Sequence, residues 1–309
     1  MSISATMVKE LREKTSAGMM DCKKALEESK GDFEAAVEWL RVKGLSAAAK
    51  KSDRIAAEGL VHAVTSGKTA SVIEVNSETD FVSRNDGFKS FVSAMAHHVL
   101  TTDHSGPILE QPHTAGKTVG DSLKEAIATL GENMVIRRSE KYTLKGEGLL
   151  HTYIHGEGKI GVMIEVAAAN AAASKSEEIK TFASDVCLHI AAMNPMTLSS
   201  DMIPAAVVAK EKDILRQKAL EAGKKPEMLD KIVEGQIRKF LAENSLLDQA
   251  FVKNPDQKIS DYQKEASKKA GGDLTIKRFV RFELGAGIEK KVVDFAAEVA
   301  AQTALTKSH

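Results

Sequence analysis

The first forty residues place apolar side chains three or four positions apart, the spacing that puts them on one face of a helix. Gly18 and Gly31 interrupt the pattern, and Asp32 is a favourable residue for a helix N-terminus. The spaced residues are Val8, Leu11, Met19, Cys22, Leu26, Ala36, Val37 and Leu40. The pattern predicts an N-terminal domain of three short helices in residues 1–44. A linker that could be partly helical follows over 45–57.

The next eighty residues combine strand-like and helix-like patterns. Two apolar or alternating stretches flank the turn residues 65–68 (TSGK) and predict a β-hairpin. An amphipathic helix with Phe88, Phe91 and Val92 on its apolar face comes next, followed by an irregular connector over 101–116. The predicted elements are strands over 58–64 and 70–76, the helix near residues 88–99, a helix over 121–130 and a strand over 133–138. Together they form a first core half, residues 58–140.

The same pattern occurs a second time in the chain. Residues 58–62 (EGLVH) return as 147–151 (EGLLH), and 73–75 (IEV) return 91 residues later as 164–166. The closing helix also returns, but 140 residues later, with KEA at 124–126 and again at 264–266. The repeat predicts a duplicated α+β core with antiparallel sheets. Its second half comprises residues 141–194 and 244–287.

The jump in spacing from 91 to 140 residues places an insert of about 49 residues, 195–243, inside the second half. The insert is charged and helix-favouring on both sides of Gly223, which predicts a protruding antiparallel helical hairpin. Its apolar positions are sparse. The hairpin is therefore either solvated or paired with another molecule, such as a second copy in a homodimer.

The end of the chain predicts one more amphipathic helix. Gly285 and Gly287 follow a strand over 274–284, and Val292, Phe295 and Val299 then share one helical face. This C-terminal helical module, residues 288–309, would dock on its own chain or on a partner.

Composition narrows the class of protein. The chain has 309 residues and equal numbers of basic and acidic side chains, 43 of each, so no broad field attracts nucleic acid or an anionic membrane. Two cysteines, Cys22 and Cys187, lie far apart, as is typical of a reducing compartment. No apolar run reaches the length of a membrane span, and the first residues lack a secretory signal. We expect a cytoplasmic protein with no direct nucleic-acid or membrane partner.

Familiar catalytic, cofactor and metal motifs are weak in this sequence. Residues 156–161 match GxGxxG, but strands are predicted on both sides, so the glycines indicate a hairpin turn rather than a dinucleotide site. No phosphate-binding P-loop is present. His97, His98, His104 and His113 lack the spacing of a metal site. The sequence predicts no catalytic residue, no metal ligand and no cofactor, and hence a protein that is not an enzyme.

One segment differs between the two repeats in a way that points to a partner. Thr79, Asp80 and Phe81 occupy the positions that residues 170–172 (NAA) occupy in the second copy. Small residues therefore suffice for the connection, and the carboxylate and phenyl ring need another explanation. We expect Asp80 and Phe81 to be presented to another protein. The alternative is that Phe81 folds into its own core, as most phenylalanines do.

Several segments together resemble bacterial elongation factor Ts, the nucleotide exchange factor for the GTPase elongation factor Tu. The segments are 8–15 (VKELREKT), 17–26 (AGMMDCKKAL), 78–82 (ETDFV), 281–283 (RFE) and 287–290 (GIEK). The resemblance covers the whole chain. It implies that the N-terminal helices are similar to ubiquitin-associated (UBA) domains, followed by two α+β halves, the inserted hairpin and the C-terminal module.

The resemblance also implies a function and a binding surface. Thr79, Asp80, Phe81 and Val82 would enter the GTPase near its Mg²⁺ site, disturb that site and promote the release of GDP. Further contacts with the same partner are implied for Lys23, Leu130, Gly131 and His155. Met19 and Met20 beside Lys23 are either packing residues or part of this docking face. The rival interpretation is an adaptor whose N-terminal domain binds protein ligands.

Overall fold

The structure is a computed structural model that describes residues 3–15, 17–103, 105–114 and 116–289. The N-terminal domain contains three helices, α1 (Ala5–Thr15), α2 (Met19–Glu28) and α3 (Phe33–Lys51). Asp32 caps α3 by accepting a hydrogen bond from the backbone of Ala35. Trp39 packs against the small core formed by Leu11, Cys22, Ala25, Leu26 and Ala36. The predicted three-helix arrangement is confirmed.

The predicted boundary at residue 44 lies inside α3, which continues to Lys51. Residues 45–51 (LSAAAKK) are rich in alanine and lysine, which favour helix. Gly44 allows α3 to pack closely on the core, because a Cβ there would lie 2.9 Å from the Cβ of Ala128. The predicted linker is therefore helical over its first half, up to Lys51, and non-helical over 52–57.

The first core half is a three-stranded antiparallel sheet covered by helices on one face. Its strands pair in the order β1-β2-β3, and the helices α5 and α6 bury Phe88, Met95 and Ile127 against it. The elements are β1 (Glu58–Ser66), β2 (Thr69–Ser77), α4 (Asp80–Arg84), α5 (Asp86–Thr101), α6 (Val119–Leu130) and β3 (Met134–Thr143). The strand β3 crosses the predicted boundary at 140, because its pairing with β2 continues to Thr143.

The second core half repeats this arrangement with an insert. Its sheet has the order β4-β5-β8, and α8 and α11 cover it. The elements are β4 (Gly148–His155), β5 (Ile160–Ala168), α7 (Ala171–Lys175), α8 (Glu177–Met193), α9 (Ala205–Glu221), α10 (Pro226–Asn244), β6 (Ala250–Phe251), β7 (Asn254–Lys258), α11 (Ile259–Ala270) and β8 (Leu274–Glu283). Both sheets contain a bulge at the equivalent place, after Glu74 and after Glu165. The predicted duplication and the α+β fold class are confirmed.

The helices α9 and α10 form the predicted antiparallel hairpin. Ala219, Leu229 and Ile237 are buried, and Arg216 pairs with Asp230 across the two helices. Pairing of two copies through this hairpin stays a prediction. The C-terminal module is described only to Glu289, so the predicted helical face with Val292, Phe295 and Val299 lies outside the described residues.

The two sheets pack face to face through their helix-free sides. Val61, Val72, Leu150 and Met163 are buried between them. The contact is reciprocal, since the guanidinium of Arg138 lies 4.3 Å from the ring centroid of Phe282. In the equivalent contact, Arg278 lies 3.8 Å from the ring of Tyr142. Both central strands are consequently covered on both faces.

We predict that Gly161→Ala destabilises this interface. A Cβ at Gly161 would lie 2.4 Å from Cγ1 of Val61, so one sheet would have to shift. Overpacking of this kind should lower the free energy of unfolding by about 1 to 3 kcal/mol, measured by urea denaturation. Gly235→Ala in α10 is the control, because nothing lies within 4 Å of a Cβ there. Equal stability changes in the two variants would contradict the close contact.

A second prediction concerns Glu74, which is fully buried. Burial raises its pKa, but hydrogen bonds from the backbone N–H of Gly285 and from Arg137 and Arg138 outweigh that effect and lower the pKa. The stability that this ionised group contributes is therefore present above the ordinary glutamate pKa of 4.5 and is lost as the pH falls through the lowered value. Urea midpoints measured between pH 6 and 3 should fall more steeply for the natural chain than for Glu74→Gln. Parallel pH curves would contradict this role of Glu74.

Candidate partner-binding site

The connecting segment with Thr79, Asp80 and Phe81 is the N-cap and first turn of a short helix, α4. Thr79 is the N-cap, and its hydroxyl oxygen accepts a hydrogen bond from the backbone of Val82. Val82 points inward and packs against the core around Phe88. Because successive helical residues point in different directions, this inward anchor leaves Phe81 on the outer side.

The side chain of Phe81 is 80% exposed, the highest exposure of any large apolar residue described. The alternative in which the ring folds into its own core is therefore wrong. The carboxylate of Asp80 lies beside it, with Oδ2 3.0 Å from Nη2 of Arg84. An exposed phenyl ring next to a partly exposed acid is suited to binding a surface that offers both an apolar pocket and polar groups.

The second copy shows what the backbone needs at this position. The helix α7 has the same length as α4, and Asn170 caps it by accepting a hydrogen bond from Ala173 at 2.9 Å. Ala171 and Ala172 take the places of Asp80 and Phe81. A short helix therefore forms at this junction without an aromatic or acidic side chain, which supports a role for Asp80 and Phe81 outside the fold.

The turn after α6 lies directly beside α4. Gly131 ends α6 with a positive φ of 82°, and Leu130 packs against the first core half. The following residue, Glu132, accepts hydrogen bonds from both the N–H and the hydroxyl of Thr79. The structure thus brings Leu130 and Gly131 close to the cap of α4. Sequence reasoning missed Glu132; the signal available was that its counterpart in the second copy is Gly272.

A cleft of ≈ 950 Å³ joins the two repeats beside α4. Asp80 and Arg84 line one side of this cleft, and Gly156 of the β4–β5 turn lines the other. His155, which precedes that turn, is exposed, and its Nδ1 lies 3.0 Å from the hydroxyl of Tyr153. Asp80 of the predicted site and the turn that follows the predicted contact residue His155 therefore line one surface depression, and His155 itself does not line it.

The GxGxxG motif forms this turn, as expected from its flanking strands. Gly156 and Gly158 have positive φ values of 60° and 93°. The carbonyl of Gly158 accepts a hydrogen bond from Val61 of the first sheet. The motif lies within the second repeat, contacts the first repeat and is followed by a strand, so it lacks the strand–turn–helix geometry that a dinucleotide site needs.

The cleft is lined by charged side chains of both signs. Arg84, Lys89 and Lys159 contribute positive charge, and Asp80 and Glu157 contribute negative charge. His62 also lines the cleft; burial, with a smaller effect from His97, lowers its pKa below the usual value. His62 is therefore neutral at pH 7. A partner surface would meet both positive and negative charges along this cleft.

Comparison with known proteins decides the family. The sequence model described as Elongation factor TS matches residues 78–286. Elongation factor Ts of Bdellovibrio bacteriovorus is 67% identical over 98% of this chain and 99% of that protein. Those of Brucella anthropi and Symbiobacterium thermophilum are 48% and 45% identical, each over at least 97% of this chain and 99% of the relative.

The chain belongs to the elongation factor Ts family. The resemblance drawn from the sequence motifs is confirmed. The match to the family model begins at Glu78 and so includes the first half from α4 to β3, the whole second sheet and the inserted hairpin. The relatives also cover the N-terminal helices.

The three N-terminal residues that were predicted to contact the partner lie on α2. Met19 and Met20 are 58% and 73% exposed, so they are not the packing residues of this domain. Lys23 is exposed on the same helix, with its Nζ 3.8 Å from Glu27. Among the described residues, α2 packs on α1 and α3 and makes no extensive contact with α4. These three residues form a separate surface from Phe81.

Two of the clustered histidines hydrogen-bond other side chains of the chain. His98 hydrogen-bonds Gln111, and His113 hydrogen-bonds Ser122. His104 lies outside the described residues. Cys22 and Cys187 are buried, and burial raises the pKa of the Cys187 thiol. Within the described residues, no group of three or more potential ligands could hold a metal ion, and no helix is long and apolar enough to cross a membrane.

Proposed function

We propose that this chain is a guanine nucleotide exchange factor in translation elongation. It would bind the GDP form of elongation factor Tu and promote GDP release so that GTP can bind. The observation that carries the proposal is the exposed ring of Phe81, held beside Asp80 at a position where the second copy has alanine. Membership of the elongation factor Ts family supports the same partner.

The mechanism requires differential binding and no covalent step. A phenyl ring that leaves water for an apolar pocket gains roughly 1.5 to 3 kcal/mol. If Phe81 finds such a pocket near the Mg²⁺ site of the GTPase, the metal is displaced from the phosphates and its charge neutralisation is lost. By thermodynamic linkage, a factor that binds the nucleotide-free GTPase more tightly than the GDP form must weaken GDP binding by the same ratio.

Other predicted contact residues would extend this interface. Leu130 and Gly131 lie beside the cap of α4, and the turn after His155 lines the cleft. One partner surface could therefore reach them together with Phe81. Met19, Met20 and Lys23 would supply a second contact from the N-terminal domain. We expect this exchange in the cytoplasm, where translation elongation takes place, without direct binding of nucleic acid or membrane.

Phe81→Ala should slow GDP release from elongation factor Tu. Loss of 1.5 to 3 kcal/mol corresponds to a decrease of roughly 10- to 100-fold in the second-order rate constant of stimulated release. Asp80→Ala should have a smaller effect. Stopped-flow release of labelled GDP measures both. Thermal unfolding should be unchanged, since Phe81 contributes little to its own core.

Val252→Ala is a matched control for this experiment. It removes another exposed apolar side chain, 41% accessible, from the second core half. Its release rate should equal that of the natural chain. Natural rates for both Phe81→Ala and Asp80→Ala would contradict the assignment of α4 to the interface. A partner captured equally well with and without GDP would indicate an adaptor instead.

A further inference from the structure

The cap of α4 is held by a carboxylate from a distant part of the chain. The two oxygens of Glu132 accept hydrogen bonds from the two donors of Thr79, at 3.0 Å from the backbone N–H and 2.6 Å from the hydroxyl. The next residue, Asn133, donates its backbone N–H to the carboxylate of Glu78 at 2.6 Å. Two consecutive residues of one turn therefore hold the two residues immediately before α4.

The second copy closes the same junction without a carboxylate. Its equivalent of Glu132 is Gly272, and a Cβ there would lie 2.5 Å from the amide nitrogen of Asn170. Asn170 donates that amide to the carbonyl of Gly271, and Ala169 donates its backbone N–H to the carbonyl of Asp273. A neutral cap and backbone hydrogen bonds are therefore sufficient to form the short helix. The carboxylate clamp occurs only in the copy that presents Phe81.

A five-residue helix needs such support to stay formed. Its own few hydrogen bonds do not offset the conformational entropy lost when the first turn is ordered. The helix therefore depends on contacts with other parts of the chain. The exposed ring of Phe81 adds a tendency to collapse onto nearby apolar surface. Hydrogen bonds to an ionised carboxylate are shorter and stronger than neutral ones, which makes Glu132 an effective anchor.

We propose that Glu132 is a positioning residue for nucleotide exchange. It fixes Thr79, so that α4 is formed and Phe81 points outward before the GTPase arrives. This role rests on the proposed function. Its benefit is preorganisation, since a side chain already in its bound orientation loses less conformational entropy on binding.

The same turn also supports the connection to the N-terminal domain. The side-chain amide of Asn133 donates to the backbone carbonyl of Arg54 at 2.7 Å, just after the end of α3. The guanidinium of Arg54 in turn lies 3.4 Å from Glu78. The turn that holds α4 is thus also bonded to the segment that follows α3.

The test is a double-mutant cycle between Glu132 and Phe81, read by stopped-flow release of labelled GDP from elongation factor Tu. Glu132→Ala should lower the rate constant about tenfold, the effect of losing hydrogen bonds to a charged acceptor. Glu132→Gln keeps the shape and one acceptor, so its loss should be smaller. In the Phe81→Ala background neither change should lower the rate further, because no ring is left to position.

A purely structural role predicts a different result. Asn170→Ala is the matched control, since it removes the cap of α7 in the second copy and should leave GDP release unchanged. An equal loss from Glu132→Ala with and without Phe81 would overturn the positioning role. So would a natural rate for Glu132→Ala beside a slow Phe81→Ala variant. A natural rate for Phe81→Ala would overturn the placement of Phe81 in the interface and this role with it, whereas the proposed function itself would fail only if the natural chain did not stimulate GDP release.

Discussion

The reciprocal packing of the two sheets is the contact on which the rest of the structure depends. Each three-stranded sheet is apolar on both faces, and its own helices cover only one of them. The second copy supplies the missing cover. Arg138 stacks on Phe282, and Arg278 stacks on Tyr142 in return. Each arginine is also paired with a glutamate on its own sheet, so burial of the charges is compensated.

This symmetry explains where the two copies have been free to differ. Neither copy can lose its strands or its interface residues without exposing the other. The ends of the sheets are not under that constraint. The first copy has the helix α4 with Phe81 and the carboxylate of Glu132 that holds it. The second copy has a neutral cap on α7 and the long α9–α10 hairpin. The duplicated core is therefore a scaffold, and the features that suit a partner lie in its asymmetric parts.

A rigid scaffold suits the proposed activity. A protein that changes the nucleotide affinity of another protein needs binding energy that is available in one state of the partner and not in the other. Flexible presentation of Phe81 would use part of that energy to order the segment. The inward anchor Val82, the cap Thr79 and the clamp Glu132 keep the segment ordered beforehand. The cleft beside them adds contact surface from both repeats.

The sequence by itself determined the helices, the strands, the duplication and the inserted hairpin. Those features depend on local periodicity and on repeated motifs, which can be counted along the chain. The comparison of the two repeats already favoured an outward Phe81, whereas only the tertiary structure decided that Glu132 holds Thr79 and that Glu74 is buried. The contact between Glu132 and Thr79 joins residues more than fifty positions apart. The burial of Glu74 depends on the second sheet, which covers its strand. No local pattern records such contacts, because packing alone determines which side chains meet.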